Sequence, residues 1–282
     1  MNDPDAHAAA NARGLKVHLR LVPSGAMTYR VVTLRPVTRV RFSTNYFHDT
    51  WHILTGRAGA MVLGRLLWGL AFQRQPGTLV LIDAPHLVST PFEADRADPI
   101  LLVPAGLTSV EASTLRELRR RLRTPGPGTT IRWQTFGLPA ALEGDRDGRR
   151  WSHAEQRTEL DREQMSRRGG FVCYTAPASL LRAHAVGIYA MSDCVNMTYY
   201  PLAERRRRRW SPDGEVQVFH DFDRDVAAAA IARREVVGAD RPLVDDEERW
   251  AVWRRKDAVS RAATDRRRRT RRRRRSGPAS AR

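Results

Sequence analysis

The chain has 282 residues, 41% of them hydrophobic, and a formal net charge of +18, enough to bury a sizeable core in one large domain or two small ones. The charge is local. Ten arginines and no acid lie between Arg266 and Arg282, five more arginines run from Arg205 to Arg209, and the rest of the chain carries only +3. The lysines are Lys16 and Lys256, and neither sits in a Gly-Lys-Ser/Thr context, which excludes a phosphate-cradling Walker A loop and leaves no lysine placed for Schiff-base chemistry.

The first thirteen residues read as disordered, with neither the basic start nor the apolar core of a secretory signal. From Leu15 the pattern alternates. Leu15, Val17, Leu19 and Leu21 point one way and Lys16, His18 and Arg20 the other, which predicts a half-buried strand. Pro23-Ser24-Gly25 turns the chain. Two further strands are expected over Tyr29–Arg35 and Val37–Phe42, the second with Arg39 and Arg41 outward, so that 14–43 forms an antiparallel pair or meander with a basic outer face.

A helix is expected over Thr55–Gln73. Ile53 to Phe72 is the longest apolar stretch, but Arg65 near its middle would cost about 2.5–3.5 kcal/mol in a bilayer, so the segment reads as a buried core helix and no membrane partner is expected. Thr78–Asp83 and Ile100–Val103 are continuous apolar runs, as strands covered on both faces are. Thr108 and Glu111 have capping-box spacing before a helix over Ser109–Arg123, and Leu115, Leu118 and Leu122 line one face of it. Thr130–Phe136 reads as a strand.

Residues 143–170 are half charged, fourteen of twenty-eight with seven of each sign, and read as an exposed insertion. A strand over Gly170–Thr175, a helix over Ala178–Tyr189, a strand over Val216–Phe219, a helix through Val236 and an amphipathic helix over Asp245–Ala262 follow. Residues 190–214 give no clear pattern, and 263–282 read as a disordered arginine tail. The alternation of strand and helix predicts a single α/β domain over 14–262, with a mainly parallel central sheet flanked by helices.

Three clusters carry chemistry-bearing residues. Asp83 and His86 follow one apolar strand, and Thr108 and Ser109 follow the next. Ligands of open α/β sheets bind beyond the carboxyl ends of parallel strands, so these four are expected to face one crevice, with Asp83 orienting His86 as a base and the helix start at Thr108 and Ser109 attracting an anion. His48 and His52 would share a face of a helix, as two metal ligands must. Asp221 and Asp223, if extended, point the same way and suit a divalent metal with a substrate phosphate. The plain alternative in each case is a turn or helix cap. Cys173 and Cys194 lack CxxC spacing, which leaves no zinc cluster or disulfide framework.

Two functional readings follow for what is expected to be a cytoplasmic protein. In the first, Arg205, Arg206, Arg207, Arg208 and Arg209, together with Arg271, Arg272, Arg273, Arg274 and Arg275, grip a polyanion such as nucleic acid without reading sequence, aided by Lys16, Arg20, Arg39 and Arg41. In the second, an enzyme acts on a small anionic or phosphorylated substrate in the crevice, with or without a metal. A third reading is an interaction protein using Trp250 and Trp253.

Overall fold

The computed structural model describes residues 14–124, 126, 128–146, 159–194, 196–203, 213–238, 241 and 243–275. The chain divides into two compact units, residues 1–88 with 97–220 and residues 89–96 with 221–282.

The larger unit contains two mixed sheets. The first has seven strands in the order β7 (Thr129–Trp133), β1 (Leu15–Ser24), β2 (Met27–Leu34), β5 (Thr78–Ile82), β6 (Ile100–Pro104), β9 (Phe171–Ala176) and β8 (Gln164–Arg168). The second has four, in the order β10 (Thr198–Leu202), β11 (Gly214–Phe219), β4 (Thr50–Gly56) and β3 (Phe42–Phe47). The helices of this unit are α1 (Arg57–Ala71), α2 (Ala112–Leu122), α3 (Leu138–Arg146) and α4 (Ala178–Ala190).

The alternation in β1 does what its sequence demands. It pairs antiparallel with β2 from Val17↔Leu34 to Ser24↔Met27, turning at Gly25 with φ +59°. The runs in β5 and β6 are buried at every position, and their side chains alternate between two cores. Val80, Ile82, Ile100 and Leu102 join α1 and α4 on one face, while Leu79, Leu81, Leu101 and Val103 meet Leu115 and Leu118 of α2 on the other. Helices α1 and α4 cross closely at Gly64, where a Cβ would stand 2.7 Å from the Ala185 carbonyl oxygen.

Several expectations need correction. The large sheet is mixed, not mainly parallel: β2 and β5 are parallel, as are β6 and β9, but β5 and β6 are antiparallel. The physical reason lies in the connection. Residues 83–99 contain no helix, and without a crossover element the chain re-enters the sheet at the end it has just left. The strand expected over Val37–Phe42 is an irregular segment leading into β3, so Arg39 and Arg41 are not on the outer face of the large sheet. The capping box at Thr108 and Glu111 does not form. The helix starts at Ala112 with Glu111 as an N-cap that makes no side-chain cap, because the Thr108 hydroxyl donates to the Thr78 carbonyl at 3.2 Å. Part of the charged insertion is strand β8, while residues 147–158 of it lie outside the described residues.

The smaller unit is a helix pair, α5 (Phe222–Val236) and α6 (Asp246–Arg275), with segment 89–96 held against it. Arg233 Nη1 donates to the Glu93 carbonyl at 2.8 Å and to Asp95 at 2.7 Å, and its Nη2 donates to the Arg241 carbonyl at 2.9 Å. Trp253 faces Phe92, with ring centroids 6.1 Å apart. The helical backbone of α6 continues past the expected end at Ala262 as far as Arg275, consistent with the good helix propensity of arginine. Among the described residues no helix is long and apolar enough to cross a membrane.

Candidate functional site

The two halves of the expected crevice lie at opposite ends of the large sheet. Asp83 follows the carboxyl end of β5, whereas the bond from Thr108 to Thr78 fixes Thr108 at its start. Five residues of strand separate them, about 17 Å, too far for groups that must reach one substrate. At the Asp83 end, the His86 N–H donates to the Asp83 carbonyl at 2.8 Å. His86 is only 3% exposed, and its Nδ1 lies 3.2 Å from the Val40 carbonyl oxygen, which can only accept. His86 Nε2 has no hydrogen-bond partner among the described residues, so Asp83 does not hold the ring by a hydrogen bond. Burial pushes the Asp83 carboxyl up, and His86 and Arg20 pull it partly back.

The helix expected to bring His48 and His52 together is a hairpin. His48 and Asp49 form the turn between β3 and β4, with φ of 49° and 60°. His48 is exposed there, while His52 is buried within β4 and its Nε2 stands 3.1 Å from Glu215. Asp221 and Asp223 are not extended either. Asp221 is the N-cap of α5 and Asp223 lies in its first turn, where carboxylates complement the helix dipole. Among the described residues no group of three or more His, Cys, Asp or Glu side chains is arranged to hold a metal ion. Burial pushes the Cys173 thiol up to about 11, so it is an inert core group. Arg205 to Arg209 lie outside the described residues. Arg271 to Arg275 belong to the last turns of the α6 backbone.

The Thr108 end opens into a cleft of about 980 Å³. It lies where β6 and β9 finish side by side, paired in parallel from Ile100↔Val172 to Pro104↔Ala176. One wall is the loop from Ala105 to Val110, including Thr108 and Ser109. The other is the 3₁₀ turn Leu160–Arg162 with Glu163, Gln164 and Arg168. Gly106 has φ +82°, and the Arg162 guanidinium occupies the space where a Gly106 side chain would begin. Glycine is required here twice, for its backbone conformation and for that close approach. Arg168 Nη2 donates to the Thr175 hydroxyl at 3.3 Å, and its guanidinium lies against the Cys173 thiol.

Glu163 forms the floor of the cleft and is 5% exposed. The Tyr174 hydroxyl donates to its Oε1 at 2.7 Å, and His184 Nε2 stands 2.9 Å from the same oxygen. His184 Nδ1 in turn lies 3.2 Å from the Tyr200 hydroxyl. Burial alone would push the Glu163 carboxyl up, but the hydrogen bonds and charge of His184, the Tyr174 hydroxyl and a backbone hydrogen bond at Ala203 outweigh it and hold it below the usual range. Tyr174 is driven the other way, well above its ordinary value, by burial and the adjacent carboxylate. The arrangement ties β8, β9 and α4 together. A carboxylate held ionised by three partners is a fastener, and a poor proton acceptor near neutral pH.

Arg162, Glu163, Arg168, Tyr174 and His184 were not among the residues expected from sequence. The available signal was Gly169-Gly170, whose φ values of +57° and +84° make the turn between β8 and β9, a Gly-Gly pair being a hairpin sign. No family model, no curated protein and no solved structure matches this chain.

Proposed function

We propose that the chain binds a small anionic ligand, bearing phosphate or carboxylate, in the cleft at the carboxyl ends of β6 and β9. The observation that carries this reading is the pair of guanidinium groups, Arg162 and Arg168, that line the cleft. A ligand oxygen would meet them with charge-assisted hydrogen bonds. Ser109 and Thr175 supply hydroxyls along the same cleft. Parallel strand ends are where α/β sheets hold ligands. No catalytic step is assigned, since the buried carboxylate of the cleft is already engaged.

The test is calorimetric titration of the full chain with inorganic phosphate, AMP and citrate at constant ionic strength. At least one is expected to bind, and Arg168→Gln should weaken it about tenfold or more, the value of one charge-assisted bond. Gly106→Ala should weaken it as well by displacing Arg162. If none of the three binds, or if Arg168→Gln binds as the wild type does, the reading fails.

A second reading keeps the arginine-rich segments as a grip on nucleic acid or another polyanion. It is supported by nine arginines and no acid between residues 266 and 275, on a backbone that is helical throughout. Such a grip would follow phosphate charge and weaken steeply with salt.

A further inference from the structure

The large sheet has a second basic feature, separate from the tail and from the cleft. On the face that α2 covers, Leu115 and Leu118 meet side chains from β2, β5, β6 and β9. Val22 of β1 joins that core, and past it the same face of β1 and β7 carries Lys16, His18 and Arg20, with Gly126 and Gly128 lying against Arg20. In the ladder Lys16 is paired with Arg132 and His18 with Thr130. Lys16, Thr130 and Arg132 are exposed, and His18 and Arg20 are half-buried. Lys16 and Arg20 are four residues apart on one strand, about 14 Å, and Lys16 and Arg132 are direct cross-strand neighbours, about 5 Å apart at Cβ. Like charges placed so destabilise the pairing.

Helix α2 forms the rim of this face. Arg20 Nη2 donates to the Thr124 carbonyl at 3.1 Å, just past the end of α2, and Arg123 is exposed beside it. Of the acids nearby, Glu117 is bridged by Arg120 and Arg121, and Asp83 lies within reach of the charge of Arg20, so the positive charge of the patch rests on Lys16, Arg123 and Arg132.

We propose that the face of β7 and β1 exposed at Lys16, Thr130 and Arg132, rimmed by the end of α2, docks the phosphate backbone of nucleic acid. The choice of partner follows from what stands between the cations. Thr130, Thr33 and His18 offer hydrogen bonds suited to phosphate and sugar oxygens, whereas a membrane-binding face would present Trp, Phe or Leu to the acyl boundary. Leu21, the exposed apolar residue of β1, belongs to the opposite face. The partner is of the same class as that proposed for the tail, but the residues are different. Failure of the one does not entail failure of the other, and binding through this face is sequence-independent.

Two measurements on the full chain test this. The first compares Lys16→Gln/Arg123→Gln/Arg132→Gln with Arg74→Gln/Arg96→Gln/Arg234→Gln, which removes the same charge from exposed positions outside the face and keeps the tail. Affinity for a fluorescent 20-nucleotide single strand and its duplex is followed across a salt series. The face variant should lower the slope of log K against log salt by about 2–3, one unit for each phosphate no longer gripped, and weaken binding about tenfold or more near 0.1 M salt. The control should change the slope by less than about 1. Equal losses in the two variants, or an absence of binding, overturn the proposal. So does tighter binding to phosphatidylserine vesicles with the same loss in the face variant.

The second measurement needs no variant, because Lys16 and Lys256 are the only lysines of the chain. Acetylation read by mass spectrometry should slow about fivefold or more at Lys16 when nucleic acid is saturating, as expected of a group buried against phosphate, with Lys256 unaffected. Unchanged acetylation of Lys16 overturns the proposal even if the face variant is poorly folded.

Discussion

Replacing Glu163 with glutamine tests the fastener directly. The carboxylate accepts from Tyr174 at 2.7 Å, stands 2.9 Å from His184 Nε2 and takes a backbone hydrogen bond at Ala203. Glutamine keeps one acceptor oxygen but turns an NH₂ group toward one of the donors. Hydrogen bonds to a charged group are worth about 1.5–3 kcal/mol each, and breaking one partner of a buried pair costs about 3–5 kcal/mol. A loss of about 3 kcal/mol at pH 7 is therefore expected for Glu163→Gln, a large part of the 5–15 kcal/mol by which typical domains are stable. The pH dependence gives a sharper test. The native carboxyl lies below its ordinary value of 4.5, so folding favours the ionised form. Its contribution is complete above that value and is lost as pH falls through the lowered native one. Other carboxylates titrate equally in both proteins and cancel in the difference. Urea denaturation from pH 7 down to pH 3 should show the two stabilities converging on acidification. A gap below about 1 kcal/mol at pH 7, or one that stays constant down to pH 3, would refute the assignment.

Gly64→Ala should destabilise by about 1–3 kcal/mol, despite the roughly 1 kcal/mol that alanine gains over glycine in a helix. The new Cβ would stand 2.7 Å from the Ala185 carbonyl oxygen and 2.9 Å from Tyr189 Cβ, so α1 and α4 must part, and a raised urea midpoint would contradict this. Arg233→Met removes the donors to Glu93, Asp95 and Arg241 from a residue 8% exposed. Segment 89–96 should lose about 2–4 kcal/mol of hydrogen-exchange protection, and unchanged protection there would show that something else holds it.

What could be read from the sequence was the period of each segment, because period reports burial. The alternation in β1 and the unbroken apolar runs of β5 and β6 gave the right elements. The apolar stretch from Ile53 to Phe72 became strand β4 and core helix α1. Direction was not legible, since a strand buried on both faces looks the same whichever way its neighbour runs, and the single crevice depended on direction. At His48–His52 the i, i+4 histidines suggested a helix, but the flanking runs FSTNYF and TWHILTG are rich in β-branched and aromatic residues, as strands are. The turn between them uses His-Asp instead of the commoner Asn-Gly. In 143–170 the charge density hid β8, although its partner β9 follows at once across the Gly169–Gly170 turn.

The cleft also shows why net charge is a weak guide to what a site binds. Its walls carry Arg162 and Arg168 but also Asp161 and Glu163, so the field inside is close to balanced and an anion is not drawn in by charge alone. What remains is direction. Glu163 is occupied by its three partners and offers a ligand little repulsion beyond its fixed charge, because His184 stands 2.9 Å behind it. Arg168 is held to Thr175 by one Nη, and Arg162 is seated on Gly106. Donors fixed before the ligand arrives lose little entropy when it binds, and an acceptor that fails to meet them leaves a buried donor unpaired. Selectivity in such a site comes from where the ligand's oxygens lie, which is why a comparison of phosphate with citrate at one ionic strength is more informative than a measure of how strongly either is attracted.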